Sequence, residues 1–100
     1  MIPKRQLYGY LDLIASEQIR AARAMLRMTV VELSAASGVG VATIKRLEAV
    51  DGLPPANART LVSLQEALIV AGVEFLGTHD QHPGVRLKSS IPKRVKKQSV

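Results

Sequence analysis

The sequence predicts one small domain of the all-α class, mainly helical, with a short β-hairpin towards its C-terminal end. The chain has 100 residues, enough for one compact core and too few for two ordinary domains. Hydrophobic residues make up 47% of the chain but aromatic residues only 3%. The core is therefore expected to consist of Leu, Ile, Val and Ala, which suit close-packed helices better than a sandwich or a barrel.

The first helix follows an N-terminal arm, residues 1–15, whose apolar residues show neither strand alternation nor helical spacing. Ser16 is the expected N-cap, because Glu17 in the first turn suits the positive end of the helix dipole. This helix is predicted to run to about Met25. Asp12 interrupts the short apolar run of the arm, so we expect no signal peptide there.

The second helix is marked at both ends. Thr29 and Glu32 have the spacing of a capping box, in which each side chain bonds the backbone N–H of the other residue. The helix is predicted from Val30 to about Ala36. Gly38 is expected to end it in the left-handed conformation that glycine adopts at little cost.

A third helix is predicted from Val41 to about Val50, with apolar Ile44 and Leu47 inward and basic Lys45 and Arg46 outward. A capped helix, a glycine turn and a second helix with apolar anchors on one side are the parts of a helix–turn–helix. Any helical hairpin can offer several of these parts by chance. An ordinary structural helix with a solvated Lys–Arg pair is the alternative.

The remaining segments complete the predicted domain, which spans residues 16–87. Asn57 can cap a fourth helix over residues 58–71, and residues 73–87 are interpreted as a β-hairpin. The predicted inward positions of the fourth helix are Leu61, Leu64, Leu68 and Ala71. Residues 88–100 form a polar, basic tail that is expected to be disordered.

The positive charge is concentrated in that tail. The formal net charge is +6, with 14 basic and 8 acidic residues. Five basic residues and no acid lie beyond residue 87: Lys88, Lys93, Arg94, Lys96 and Lys97. The rest of the chain is nearly neutral. The tail can be interpreted as a phosphate-tracking arm, as a solubilising end or, least favoured, as a membrane-surface patch.

Several function classes have little support. Without cysteine the chain has no disulfide, no Cys-ligated zinc and no thiol nucleophile. The run from His79 to His82 contains metal-ligating residue types but is interpreted as a solvated loop, so no metal or cofactor is expected. No Ser–His–Asp triad or phosphate loop is evident, and we expect no enzyme. The longest apolar run, about seven residues, is too short to span a membrane, and a cytoplasmic location is expected.

Three motifs together resemble a known family. They are Gln18-Ile19-Arg20-Ala21-Ala22-Arg23-Ala24-Met25-Leu26, Glu32-Leu33-Ser34-Ala35-Ala36-Ser37-Gly38-Val39 and Ala42-Thr43-Ile44-Lys45-Arg46-Leu47-Glu48. They resemble the Xre family, the lambda-repressor-like helix–turn–helix transcriptional regulators of prokaryotes and phages. The resemblance covers about residues 16–76. It implies a compact four-helix lambda-repressor-like domain that binds double-stranded DNA, with helix 41–50 in the major groove.

The resemblance also implies roles for single residues. Six positions match family residues that contact the bases or the phosphate backbone of DNA: Gly40, Val41, Ala42, Thr43, Lys45 and Arg46. The candidate phosphate contacts are Thr29, Val30 and Arg59. Arg23 and Glu48 match a salt bridge that locks two helices, and an Arg within an apolar stripe needs such a partner because an unpaired buried charge is costly.

The sequence departs from the family where DNA would be read. Val30 stands where relatives often carry a phosphate-anchoring glutamine, and Val41 and Ala42 replace polar readers. Apolar side chains can contact a thymine methyl but offer no bidentate hydrogen bonds. Base specificity is therefore expected to be modest and to depend on Thr43, Arg46 and DNA shape.

The sequence leaves open which partners the protein binds. A homodimer is expected, because dimers of such domains read two half-sites about 34 Å apart. Val62, Ile69 and Phe75 could form its interface or could instead complete the core. The alternative function is a protein-interaction module, or an antitoxin-like partner that uses the helix–turn–helix for assembly.

Overall fold

A computed structural model describes residues 13–89, which form four helices followed by one antiparallel hairpin. The elements are α1 (Ser16–Leu26), α2 (Val30–Ser37), α3 (Val41–Glu48), α4 (Ala58–Ala71), β1 (Val73–Thr78) and β2 (Gln81–Leu87). The first twelve residues of the predicted arm lie outside the described residues. Residues 90–100 of the tail lie outside them as well, so the disorder expected of the tail stays a prediction.

The local start and stop signals in the middle of the chain are confirmed. Thr29 N donates to Glu32 Oε1 at 2.9 Å and Glu32 N donates to Thr29 Oγ1 at 3.0 Å, which is the predicted capping box. Gly38 ends α2 with φ 79°. Asn57 Oδ1 accepts from Thr60 N at 2.8 Å and caps α4. Short-range hydrogen bonds therefore determine where α2 and α4 begin.

The prediction that Ser16 is the N-cap of α1 is wrong. Ala15 is the N-cap, and its N–H donates to Gln18 Oε1 at 2.8 Å. Ser16 is fully buried as the first helical residue, and its Oγ donates to Leu47 O at 2.7 Å. A buried hydroxyl needs a hydrogen-bond partner, and this one finds it at the end of α3 rather than in its own first turn.

Two further details of the predicted helices are wrong. Helix α3 ends at Glu48 rather than at about Val50, because Ala49 N turns back to Arg46 O at 3.3 Å and tightens the last turn. Ala71 is exposed rather than inward. It is the last residue of α4, and Val73, two residues later, is fully buried near this end of the helix instead.

The core lies where the four helices and the hairpin meet. Its fully buried large side chains include residues from every helix and from β1: Ile14, Ile19, Leu33, Ile44, Leu47, Leu61, Leu64, Leu68 and Val73. Leu13 and Ile14 belong to this core although they fall in the predicted arm. Phe75, Val85 and Leu87 pack against it from the hairpin. For Phe75, the interpretation as part of the core is therefore the correct one.

The predicted all-α class is wrong. Helices account for 53% of the described residues, and the two-stranded antiparallel sheet makes the protein mixed α/β. The physical reason is that the sheet is part of the core, since Val73 is completely buried and one face of both strands packs on the helices. Among residues 13–89, no helix combines the length and the apolar character that crossing a membrane requires.

The hairpin is attached to α1 through a buried amide. Its register pairs Val73 with Leu87 and Leu76 with Gly84, and it shifts at Gly77. Gly77 has φ 68°, and a Cβ there would lie 2.2 Å from Gln81 O, so only glycine fits. Gln18 Nε2 donates to both Leu76 O and Gly84 O at 3.0 Å.

Gln18→Ala is expected to destabilise the protein by about 2–3 kcal/mol. The change leaves the carbonyls of Leu76 and Gly84 without this donor, and a buried polar group without a partner costs roughly 1–3 kcal/mol. Urea unfolding followed by circular dichroism measures the loss. Gln81→Ala, on the exposed turn end of the hairpin, is the control and should change stability by less than about 0.5 kcal/mol. Equal losses in both variants would contradict the anchoring role of Gln18.

Candidate nucleic-acid interface

Helix α3 has one buried side and one exposed side. Ile44 and Leu47 are fully buried, three residues apart. The exposed residues recur at intervals of three, four and seven positions, which places them on one helix face: Ala42, Lys45, Arg46 and Ala49. Two long basic side chains therefore stand between two alanines on the solvent side of α3. We call these four residues the outer face of α3.

The C-terminal end of α3 is held by side chains of α1. Ser16 Oγ donates to Leu47 O at 2.7 Å, and Arg20 Nη1 donates to Glu48 O and, at 3.0 Å, to Val50 O. The last carbonyls of a helix lack partners within the helix and carry partial negative charge. A hydroxyl and a guanidinium from α1 satisfy them here.

The predicted pair of Arg23 and Glu48 is in contact. Arg23 Nε donates to Glu48 Oε2 at 2.7 Å and Nη2 donates to Oε1 at 2.6 Å, a two-bond, side-on arrangement. The third nitrogen, Nη1, donates to Met28 O at 3.0 Å. The side chains are only 22% and 9% exposed. The hydrogen bond to Glu48 raises the pKa of Arg23. One guanidinium therefore joins α1, the turn before α2 and the end of α3.

The first turn of α1 also holds the loop after α3. Ser16 N donates to Gly52 O at 2.8 Å, and Gly52 N donates to Glu17 Oε1 at 3.0 Å. Hydrogen bonds from its own main-chain N–H and from Gly52 hold the pKa of the Glu17 carboxyl below its ordinary value. The loop that leads from α3 to α4 is thus tied to the same helix as α3 itself.

Several cations in the described part of the chain have no counter-charge. Five of its acidic side chains accept hydrogen bonds within the protein: Glu17, Glu32, Glu48, Glu74 and Asp80. By contrast, Lys45, Arg46 and Arg59 are exposed and make no hydrogen bond or ion pair with any residue of 13–89. Positive charge is therefore left over on the outer face of α3 and at the start of α4.

The other predicted contact residues differ in how accessible they are. Gly40 is exposed as the N-cap of α3, whereas Val41 and Thr43 are half-buried. Thr29 is exposed, and its hydroxyl accepts the capping bond of α2. Val30 packs against the core. Val30 is thus partly buried, and its role as a phosphate contact stays a prediction.

Sequence reasoning missed the role of two residues. The sequence marks Arg20 only as part of a motif and Ser16 only as a cap, yet both bond carbonyls at the end of α3. One feature of the sequence indicates that Arg20 faces α3: it lies three residues before Arg23 and so on the same side of α1. The acceptors are main-chain carbonyls about thirty residues away, which no sequence pattern marks.

The turn of the hairpin is held by protein contacts. Thr78 Oγ1 donates to Asp80 Oδ1 at 2.8 Å, and this bond lowers the pKa of Asp80. His79 N donates to Leu13 O at 3.1 Å. Over residues 13–89, no group of three or more His, Asp or Glu side chains comes together in a way that could hold a metal ion.

A shallow groove lies between α2 and α4. Its volume is about 300 Å³, and its lining residues are Ala36, Ser37, Ser63, Glu66, Ala67 and Val70. Val70 is 87% exposed and Val31, on α2, is 66% exposed. These are the most exposed large apolar side chains of the described residues, although single exposed valines are common on soluble proteins.

Comparisons with known proteins assign neither a family nor a function to the chain. No protein-family model matches the chain, and neither the curated proteins nor the solved structures give a significant match. The fold and the candidate site themselves define a small mixed α/β protein. Its α2–turn–α3 unit presents the uncompensated basic outer face of α3.

A double-mutant cycle tests the Arg23–Glu48 pair. Arg23→Ala is expected to destabilise the protein by about 2–3 kcal/mol, because it leaves the mostly buried carboxylate and Met28 O without their donor. Glu48→Ala in that background should add little, giving a coupling of about 1–2 kcal/mol by urea unfolding. The same cycle on Arg86 and Glu74, an exposed pair at 2.9 Å, is the control and should give below about 1 kcal/mol. Additive effects at Arg23 and Glu48 would contradict the prediction.

Proposed function

We propose that this protein is a DNA-binding transcriptional regulator that inserts α3 into the major groove of double-stranded DNA. The observation that carries the proposal is the outer face of α3. Lys45 and Arg46 are exposed there without a counter-charge among the described residues. Phosphates and guanine edges are the acceptors that Lys and Arg bind on DNA.

The geometry of that face suits a groove. The major groove is about 12 Å wide and admits one α-helix. Ala42 and Ala49 are small and exposed, so the helix backbone can approach the bases or the sugar–phosphate chain closely. In this arrangement Arg46 reads a base edge or a phosphate, Lys45 binds phosphate and Thr43 lies beside the groove. Arg59 supplies a further phosphate contact from the start of α4.

The resemblance of residues 16–76 to the Xre family supports the same function. That resemblance assigns base contacts to the start of α3 and a base or phosphate contact to Arg46, one turn further on. The apolar Val41 and Ala42 still offer no bidentate hydrogen bonds. We therefore infer that phosphate contacts supply most of the affinity and that base discrimination is modest.

We propose that the protein acts as a homodimer on DNA. One unit of this size presents a single short helix, and two units can read half-sites about 34 Å apart. The exposed Val31 and Val70, together with the groove between α2 and α4, offer one surface for protein contact. The same surface favours the second candidate function, a protein-interaction module that uses its helices for assembly.

Arg46→Ala is expected to weaken binding to a preferred duplex by about 1–3 kcal/mol, and Lys45→Ala by a smaller amount. The duplex comes from selection on randomised DNA, and binding is measured by fluorescence anisotropy at two salt concentrations. Arg86→Ala removes the same charge from the outer side of the hairpin and should change affinity little. Failure to enrich any duplex would favour the interaction module. Unchanged binding in both α3 variants would exclude α3 as the DNA-binding helix.

Removal of residues 93–100 tests the basic tail separately. The segment carries Lys93, Arg94, Lys96 and Lys97. If it follows phosphates, its loss weakens binding equally for all sequences and reduces the slope of log affinity against log salt by up to about 3–4. Truncation of only residues 98–100, which are uncharged, is the control. An unchanged slope would identify the tail as a solubilising end without contact to DNA.

A further inference from the structure

We infer that Arg20 is a positioning residue for DNA recognition: it fixes the C-terminal turn of α3 and so sets how Lys45 and Arg46 face the groove. The inference rests on the proposed function. Arg20 itself is half-buried between α1 and the end of α3, and no contact between its side chain and DNA is required.

The two basic side chains lie in the last turn of α3. The helix has only eight residues and ends at Glu48, so Lys45 and Arg46 are within three residues of its end. Short helices gain little stability from their own hydrogen bonds, and their ends fray. The direction in which these side chains point therefore depends on interactions that keep the last turn helical.

Arg20 supplies interactions of this kind. Its Nη1 donates to Glu48 O and to Val50 O, which joins the last helical residue to the turn that follows. Ser16 Oγ binds the preceding carbonyl, Leu47 O, at 2.7 Å. Three carbonyls at the end of α3 are thus held from α1, two of them by one guanidinium.

The role of Arg20 differs from that of Arg23. Arg23 binds the Glu48 side chain and Met28 O, which fixes the distance between the helices. Within residues 13–89 the hydrogen bonds of the Arg20 side chain go to main-chain carbonyls alone, and its charge also offsets the negative end of the α3 dipole. Loss of Arg20 therefore loosens the end of α3 while the Arg23–Glu48 pair still holds the helices together.

Hydrogen exchange provides a test that needs no DNA. In Arg20→Ala, the amides of Leu47, Glu48 and Ala49 are expected to exchange about tenfold faster, as loss of a charge-assisted hydrogen bond predicts. The amides of α4 are expected to keep the exchange rates of the unmodified protein. Equal acceleration throughout the protein, or no change at the end of α3, would overturn the inference.

DNA binding provides the second readout. Arg20→Ala is expected to lower the affinity for the selected duplex about five- to tenfold. Affinity for a scrambled duplex and the salt slope should fall no more than in Arg86→Ala, which removes one charge from the hairpin. Arg20→Lys keeps the charge and can bind one of the two carbonyls, so it should recover part of the discrimination. If Arg20→Ala does not fold, Arg20→Lys is compared with Arg86→Ala in its place.

The outcomes separate this inference from the proposed function. If the unmodified protein binds no duplex, the proposed function fails, and the positioning role for DNA fails with it. If the unmodified protein binds but Arg20→Ala discriminates between duplexes as well as Arg86→Ala does, only the positioning role is overturned. Selective loss of discrimination, with partial recovery in Arg20→Lys, supports both.

Discussion

The arrangement of the whole molecule depends on the polar side of α1. Ser16, Arg20 and Arg23 all bind the C-terminal end of α3 or the side chain of Glu48. On the other side of the same helix, Gln18 binds the carbonyls of the hairpin. An amphipathic helix usually leaves its polar residues in water. Here α1 uses them to bond backbone groups of two other elements, so one helix determines where both α3 and the hairpin lie.

This constraint is needed because α3 is so short. Two buried side chains, Ile44 and Leu47, fix its inner side, but they leave its ends free to fray. The bonds from α1 satisfy carbonyls that have no partner within the helix, and their donors are a hydroxyl and a guanidinium. Lys45 and Arg46 lie in the last turn of α3, exposed and without a hydrogen bond or ion pair to the described residues.

The parts of the fold that depend on local hydrogen bonds could be predicted from the sequence. The capping box of Thr29 and Glu32, the cap at Asn57 and the end of α2 at Gly38 each involve residues within a few positions of one another. The bonds of Ser16, Gln18 and Arg20 could not be predicted, because their acceptors are carbonyls 28 to 66 residues away. The predicted all-α fold class is wrong for a related reason. The number of strand residues is small, and only tertiary packing shows that Val73 belongs to the core.

Net charge is a poor guide to where positive charge is exposed on this protein. Residues 13–89 carry eight basic and seven acidic side chains, so they are almost neutral. Five of the seven acids, however, accept hydrogen bonds within the protein, whereas the cations on the outer face of α3 make none with the described residues. The field that a polyanion meets depends on this local imbalance rather than on the total. Because the long basic side chains of Lys45 and Arg46 stand beside small alanines, the surplus positive charge on this face is open to solvent.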